Sequence, residues 1–280
     1  MLNESSNPGQ PTDRSPALGV FDPEHAARAL LHATYRVRLR VSTILPFHNE
    51  AANAAQTVAA VIDFAEAHPD YHFILVDDGS TDGTATVLEK KIQSDGVSSV
   101  ELLRLERNGG KGRALRSALS RCLGDFVCFT DGDLPYSLDH LHLLDRGLAD
   151  NHLVIGSRVL AEGHGGGVAR RFYGSGFNLI VRKILGLSVR DTQAGLKGIR
   201  REVAEHLFGL QRIDGFAFDA ELLYLARKFG YRVAEIPARL SASHKYNASP
   251  RRLVVDATRM LREVAEIRRN DWKGLYRQTA

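Results

Sequence analysis

The sequence predicts an α/β fold with a mostly parallel sheet flanked by helices. Short apolar runs alternate with helical segments from Val41 onward, and this alternation is typical of parallel sheets. The apolar runs are nearly continuous, which indicates strands that are buried on both faces. Polar clusters follow several of these runs directly. Ligands of such folds bind beyond the carboxyl ends of the strands, so we expect these clusters to converge on one crevice.

Strands and helices alternate regularly in the first half of the chain. The run 41–46 is a strand that stops at its proline, because proline lacks the N–H that a sheet needs. Asp82 or Thr84 is placed to cap the second helix. The remaining predicted strands are 72–77, 100–105, 126–130 and 152–156. The predicted helices are 51–68, a segment ending at 93, 110–122 and 138–148.

The alternation weakens after Val159. The predicted elements there are helices at 172–185 and 219–229, a polar turn region at 191–198, a strand at 232–236 and a last helix at 251–269. The last helix has apolar residues on one face and arginines on the other. Such a helix suits either a peripheral contact with a membrane or packing on the protein's own core.

The composition is that of a soluble globular protein. The chain has 280 residues, a formal net charge of +4 and 25% charged residues, which argues against wholesale disorder. No apolar run approaches the roughly 18 residues of a membrane-spanning helix, and no secretory signal pattern is present. Cys122 and Cys128 are too few for a disulfide framework or a zinc cluster. We therefore expect a cytoplasmic location, with the inner face of the membrane as a further option.

Two familiar nucleotide-binding motifs are absent. The turn after the first strand, 46–50, contains no glycine, so the dinucleotide fingerprint does not hold. Gly110-Lys111 is followed by glycine rather than by Ser or Thr, so the P-loop motif does not hold either. Basic strands interleaved with aromatic residues are also missing, so we expect no nucleic-acid partner.

Acidic residues remain as the chemistry-bearing feature of the strand ends. Asp131 and Asp133 flank Gly132 directly after the fourth predicted strand. Two carboxylates this close suit Mg²⁺ or Mn²⁺, which would bridge to a diphosphate, and glycine leaves room for a ligand near the backbone. The alternative is an ordinary Asp-Gly turn. For Asp77 and Asp78, after the second strand, the alternative is a turn or a helix cap.

The combined motifs resemble glycosyltransferase family 2, which has the GT-A fold, a Rossmann-like nucleotide-diphospho-sugar transferase fold. The resemblance covers 41 to about 158 and rests on the Asn-Glu, Asp-Asp-Gly-Ser, Asn-Gly-Gly-Lys-Gly and Asp-Gly-Asp runs. It implies a nucleotide-sugar donor, and Mg²⁺ or Mn²⁺ held by Asp131 and Asp133. The donor-binding residues that it implies are Pro46, Glu50, Asp78, Lys111, Asp131, Gly132 and Asp133. Lys111 lies at a glycine-rich helix start, where positive charge and free N–H groups suit phosphate; the alternative is a solvated lysine.

The second half is similar to the polyprenyl-phosphate branch of that family, the dolichyl-phosphate glucosyl- and mannosyltransferases. The runs that carry this likeness are Gly156-Ser-Arg158, Arg170-Arg171-x-x-x-Ser175-x-x-Asn178 and 191–197. They imply acceptor contacts from Arg158, Arg170, Arg171, Ser175 and Lys197. Charge supports an anion site independently, since 158–201 holds nine Lys and Arg against two acids, a net charge of +7. The alternative is a solvated basic face.

The implied reaction is an inverting, metal-dependent transfer of a hexose from a UDP-glucose or GDP-mannose type donor to a polyprenyl or dolichyl phosphate. A phosphate monoester has its second pKa near ~6, so it needs no strong general base. The alternative is a soluble family 2 enzyme with a hydroxyl acceptor, a glycan or small molecule. That reaction would need a base, for which Asp214, Asp219 and Glu221 are candidates. Asp219 also suits a helix cap; with Asp131, Asp133 and Arg158 it completes the predicted catalytic set.

The predicted domain organisation has three parts. Residues 1–38 are a disordered lead with an N-terminal helix, 39–250 form the GT-A glycosyltransferase domain, and 251–280 form the C-terminal amphipathic helix and tail. Peripheral membrane contact through the last part is a further expectation.

Overall fold

A computed structural model of the chain describes residues 38–161, 168–241 and 250–277. Within them, 168–175, 177 and 250–256 are described by their backbone. The chain divides into two units, Met1–Arg38 and Leu39–Ala280, and the description below concerns the second. The predicted N-terminal lead and helix lie outside the described residues except for Arg38. The boundary predicted between residues 250 and 251 stays a prediction.

Strands and helices alternate through the described residues. The strands are β1 (Val41–Phe47), β2 (Tyr71–Asp78), β3 (Val100–Leu105), β4 (Phe126–Phe129), β5 (Leu153–Ser157), β6 (Lys197–Arg200) and β7 (Val233–Pro237). The helices are α1 (Ala51–Ala67), α2 (Thr84–Asp95), α3 (Lys111–Leu119), α4 (His140–Leu148), α5 (Arg158–Ala161), α6 (Val168–Leu185), α7 (Arg201–Leu210), α8 (Phe218–Lys228) and α9 (Pro250–Trp272).

The seven strands form one mostly parallel sheet, which confirms the predicted fold class. Their order is β3-β2-β1-β4-β6-β5-β7, and β6 alone runs antiparallel to its neighbours β4 and β5 within the described sheet. Ile44 of β1 lies opposite both Ile74 of β2 and Phe129 of β4. The carboxyl ends of these three strands therefore meet at one edge. Because β6 runs the other way, its first residue, Lys197, pairs with Phe129 and lies near that edge.

β6 corrects the prediction of a polar turn over 191–198. Its sequence, Lys-Gly-Ile-Arg, contains a single apolar residue, so neither alternation nor an apolar run marks it as a strand. It is nevertheless buried, with Lys197 and Ile199 fully enclosed, because strands β4 and β5 pair with it on both sides. Tertiary pairing, rather than local pattern, makes this segment a strand.

Helices cover the sheet on both faces, as its apolar strands predict. Alternate residues of β1 enter two separate apolar clusters: Ile44 belongs to one and Leu45 to the other. The first cluster includes Val181 of α6 together with residues of α3, α7, α8 and α9. The second includes Leu144 of α4 together with residues of α1 and α2. Helices α4 and α6 therefore pack on opposite faces of the sheet.

Helix α9 packs its apolar face on the protein's own core. Met260, Val264 and Ile267 are 6%, 0% and 0% exposed. Of the two alternatives that the sequence left open, membrane contact or packing on the core, these residues show packing on the core. Among the described residues, no helix combines the length and the apolar character needed to cross a bilayer.

Candidate active site

Polar segments from four strands meet at the carboxyl edge of the sheet. Pro46 and Glu50 lie at the end of β1 and just beyond it, Asp78 ends β2, and Asp131 follows β4. Arg158 begins α5 directly after β5. The carbonyl oxygen of Pro46 approaches the backbone of the Asp131–Asp133 turn so closely that a methyl group at Gly132 would lie 2.7 Å from it. From the sequence we expected the space at Gly132 to admit a ligand. The backbone of Pro46 occupies the space that a Cβ atom at Gly132 would take.

Asp78 holds the glycine-rich loop in front of α3. Its Oδ1 accepts a hydrogen bond from the N–H of Gly109 at 2.9 Å, and its Oδ2 accepts one from Gly110 at 2.8 Å. The N–H of Gly112 donates to the carbonyl of Asp214 at 3.0 Å. The expectation that these N–H groups are free for a phosphate is therefore wrong. The ammonium group of Lys111 pairs with Asp131, and its contact with a phosphate stays a prediction.

Three carboxylates crowd one corner of the crevice. Burial, together with the negative charges of Asp133 and Asp131, raises the pKa of Glu50 to about 7. Oε2 of Glu50 is buried and has no hydrogen-bond partner among the described residues. A buried carboxylate oxygen without a donor, next to two more carboxylates, is unfavourable unless a positive charge joins them.

Asp131 is held between a lysine and a glycine. Lys111 Nζ makes an ion pair with its Oδ1, and a methyl group at Gly195 would overlap its Oδ2. Burial alone would raise the pKa of Asp131, but the positive charge of Lys111, with Lys197 and Arg158 behind it, lowers the pKa overall. The carboxylate is thus kept ionised and fixed in direction.

Arg158 holds the segment that contains Gly195. Its Nε and Nη2 each donate to a different oxygen of Asp191 at 2.9 Å, and its backbone N–H donates to Oδ2 at 3.1 Å. Burial disfavours the charged guanidinium, but the bond to Asp191 outweighs burial and the pKa of Arg158 is raised. One edge of the guanidinium fork is therefore occupied by Asp191 rather than open to an acceptor.

Lys197 lies beneath the crevice rather than at its surface. The residue is fully buried, and its ammonium group donates to Asp219 and to the carbonyl of Ala194. The ring of Phe129 lies 5.6 Å from Nζ. Burial lowers the pKa of Lys197, and Asp219 opposes that shift. In this arrangement Lys197 contacts Asp219, and its predicted contact with an acceptor stays a prediction.

The two other candidate bases are also engaged. Asp214 makes an ion pair with Arg116. Glu221 is fully buried, and its carboxylate accepts bonds from the N–H groups of Arg212 and Ile213 at 3.0 and 2.9 Å. Burial raises the pKa of Glu221, but its bonds tie the turn after α7 together and point it away from solvent.

The remaining acceptor residues lie on α6. The side chains of Arg170, Arg171 and Ser175 are outside the described residues. Asn178, one turn further along, is described: its Oδ1 accepts from Oγ1 and N of Thr192 at 2.7 and 3.1 Å. Helix α6 is thereby tied to the segment that Arg158 holds.

The sequence profile described as "Glycosyl transferase family 2" matches residues 42–208, which is more than half of the chain. The chain belongs to this family. The match spans every strand end described above and confirms the resemblance seen in the motifs.

Relatives and solved structures agree with the family. A dolichyl-phosphate beta-glucosyltransferase of Homo sapiens is 31% identical over 215 residues, which cover 70% of this chain and 66% of the relative. The chain thus spans slightly less than two thirds of that relative's length. Glucosyl-3-phosphoglycerate synthase from Mycobacterium tuberculosis, crystallised with Mn²⁺, UDP and glucosyl-3-phosphoglycerate, superposes with a TM-score of 0.60 at 21% identity, covering 86% of this chain and 83% of that one. Mannosyl-3-phosphoglycerate synthase from Rubrobacter xylanophilus gives 0.62 at 22%, covering 93% and 82%. At these identities the likeness to the solved structures concerns the fold.

The residues of this family 2 member fit a divalent cation that is shared with a ligand. Asp131, Asp133 and Glu50 supply hard oxygen atoms, and the buried, partnerless Oε2 of Glu50 lies in a field of negative charge. Among the described residues, no group of three or more His, Cys, Asp or Glu side chains is arranged to hold a metal alone. Further ligands would have to come from a bound molecule, and diphosphate oxygens have the right chemistry.

The sequence missed two residues that shape the family 2 site. Asp191 was visible only as part of a motif, yet it takes one edge of the Arg158 fork. Gly195 was not singled out at all, although its bare Cα makes room for the carboxylate of Asp131. No local signal marks such a glycine, because its neighbour is 64 positions away in the chain.

Proposed function

We propose that this chain transfers a hexose from a nucleotide sugar of the UDP-glucose or GDP-mannose type to a polyprenyl phosphate, at the cytoplasmic face of a membrane. The donor class is supported by family membership and by the acidic corner beside Lys111. The acceptor class is supported by the name of the human relative and by the basic 158–201 segment. Because the chain spans less than two thirds of that relative, the substrates of this chain are a proposal.

One observation carries the choice of a phosphate acceptor. Each of the three carboxylates that the sequence offers as a general base is engaged: Asp219 with Lys197, Asp214 with Arg116, and Glu221 with backbone N–H groups. A hydroxyl acceptor needs a base to take its proton. A phosphate monoester is mostly ionised at neutral pH, since its second pKa is near ~6, and needs none.

The site residues would divide the work between donor and acceptor. Asp131 and Asp133 would hold Mg²⁺ or Mn²⁺, which when bound neutralises the departing diphosphate. Lys111 would supply positive charge to the same diphosphate, and Pro46, Glu50 and Asp78 would line the nucleoside side. A phosphate oxygen of the acceptor would attack the anomeric carbon as the bond from that carbon to the diphosphate breaks. Arg158, Arg170, Arg171 and Ser175 would orient the acceptor by charge and hydrogen bonds.

A nucleotide-release assay tests the proposal. The full chain is incubated with a panel of UDP- and GDP-sugars and Mn²⁺, with and without polyprenyl phosphate. We expect release of one nucleotide to depend on the lipid phosphate and on the metal, and to be abolished by EDTA. Release that is stimulated by a hydroxyl acceptor and not by polyprenyl phosphate would establish the alternative.

Calorimetry separates the metal assignment from turnover. Asp133→Asn should abolish Mn²⁺-dependent binding of the released nucleotide, because one of the two proposed ligands is lost. Asp63→Asn, an exposed position on α1, is the matched control and should leave binding intact. Equal affinities for wild type and Asp133→Asn would remove Asp133 from the metal site.

A further inference from the structure

Helix α6 exposes an apolar stripe on its outer side. Leu179, Ile180 and Ile184 are 48%, 47% and 41% exposed, and we call these three residues the α6 stripe. Their spacing of one, four and five positions puts them on one face of the helix. The opposite face carries Val181 and Leu185, both fully buried in the core cluster. The stripe is therefore not needed to hold α6 on the protein.

The charged residues within helix α6 itself are all basic. Lys183 is exposed and lies on the same helical face, between the three apolar side chains. From 168 to 190 the sequence has five Lys and Arg and no Asp or Glu. Exposed apolar side chains beside an exposed lysine, on a helix whose charged residues are all basic in sequence, match a bilayer interface that carries anionic head groups.

The stripe is also connected to the candidate acceptor side. Asn178, next to Leu179 in the chain, bonds Thr192, and Thr192 adjoins Asp191, the partner of Arg158. A membrane in contact with the stripe would thus lie beside the segment proposed to orient a lipid phosphate.

We propose that the α6 stripe and Lys183 dock the protein on an anionic lipid surface. The docking itself does not depend on the proposed function. Its benefit rests on that function, because docking would give access to an acceptor dissolved in the bilayer. It also relocates the membrane contact expected from the last helix, because Met260, Val264 and Ile267 of α9 are buried. A second copy of the chain is a poorer occupant: a two-fold contact through the stripe would bring Lys183 against its own copy, with no acid in 168–190 to offset the charge.

Vesicle sedimentation of the full chain tests the docking. Vesicles of phosphatidylcholine alone are compared with vesicles that also contain phosphatidylglycerol. We expect binding to the anionic vesicles and at least a tenfold weaker partition for the triple variant Leu179→Ser, Ile180→Ser, Ile184→Ser. Lys183→Glu should weaken partition by about thirtyfold, since it changes the charge by two units and each unit near such a surface contributes on the order of 1 kcal/mol.

Matched controls lie on the other face of the sheet. Leu143 of α4 is 38% exposed, and Lys90 of α2 is exposed, so Leu143→Ser and Lys90→Glu make the same chemical changes away from α6. Both should bind vesicles as the wild type does. Thermal melting followed by circular dichroism checks that the triple variant is folded. Wild type that ignores anionic vesicles, or α6 variants that bind as their controls do, would overturn the proposal. So would a wild-type dimer in light scattering that the triple variant converts to a monomer.

A transfer assay keeps the docking and the function distinguishable. With polyprenyl phosphate in anionic vesicles, the triple variant should lose at least tenfold in rate, whereas the same acceptor in neutral detergent should be used at the wild-type rate. If no sugar is transferred in either format while the stripe still mediates vesicle binding, the docking stands and the proposed function fails. If sugar is transferred equally by wild type and variant in vesicles, the docking fails and the function stands.

Discussion

Replacing Gly195 by alanine tests whether the orientation of the Asp131 carboxylate matters for metal binding. A methyl group at this position would overlap Oδ2 of Asp131 and lie 3.1 Å from its Cγ. Restoring an ordinary contact requires the carboxylate to move on the order of 1 Å. The fold should tolerate the change, because the group that must give way is the end of a side chain and not backbone.

The expected consequence is a loss of metal-dependent binding without a loss of stability. Ligand distances in metal sites are held to within about 0.2 Å, and a misplacement of about 1 Å at an active site lowers function by about 100-fold, or roughly 2.7 kcal/mol. We therefore expect the affinity for UDP or GDP in Mn²⁺ to fall by between about tenfold and about 100-fold. Turnover should fall at least as much.

Isothermal calorimetry with and without Mn²⁺ measures this effect. Gly209→Ala is the matched control, since nothing lies within 4 Å of a methyl group there and alanine in a helix is stabilising by roughly 0.5–1 kcal/mol. If Gly195→Ala bound nucleotide and Mn²⁺ as tightly as the control, Asp131 would not be the metal ligand whose direction this glycine sets.

Three further predictions concern the charges around the site and the sheet. Arg158→Lys keeps the charge but loses the paired bonds to Asp191, so turnover with polyprenyl phosphate should fall about tenfold, about 1.4 kcal/mol. A loss confined to donor affinity, with wild-type turnover at saturating donor, would place Arg158 on the donor side. Lys197→Met leaves Asp219 buried and unpaired, so it should lower the free energy of unfolding in urea by roughly 3–5 kcal/mol. The double variant Lys197→Met, Asp219→Leu should recover stability. Equal stability of the wild type, the single variant and the double variant would refute a buried charged pair. Burial lowers the pKa of His72 from 6.5 to about 4, so the folded state binds fewer protons than the unfolded state in that window. The free energy of unfolding should be constant above pH 6.5 and fall by roughly 3 kcal/mol as the pH is lowered to 4. In His72→Phe this pH dependence should be much weaker. If it were unchanged, groups other than His72 would cause it.

The first half of the fold was predictable because its signals are local. The strands β1, β2, β4 and β5 are largely apolar runs, and a proline or an acidic residue lies at or within two residues of the end of β1, β2 and β4. Parallel strands place such ends at one edge. The order of the runs also carried the family resemblance. By contrast, β6 has one apolar residue in four positions, so only its pairing with β4 and β5 makes it a strand.

The site was predictable as a set of residues but not as a set of contacts. Asp131, Asp133 and Lys111 were proposed from their positions after strands and at a helix start, and the structure brings Asp131 and Lys111 into contact. The partners were hidden: Lys197 was expected at the acceptor and lies buried against Asp219, and the N–H groups expected to be free are bonded to Asp78. Sequence patterns report the type of a residue and not which neighbour has already neutralised it.

The sequence by itself determined the α/β sheet, the family and the chemical class of the crevice, because strand burial, turn composition and acidic motifs act over a few neighbouring residues. The tertiary structure decided which charges are available. Arg158 pairs with Asp191, 33 positions away, and the stripe on α6 is exposed while that on α9 is buried. Both helices pack an apolar face on the core, and α6 in addition exposes Leu179, Ile180 and Ile184 on its outer side.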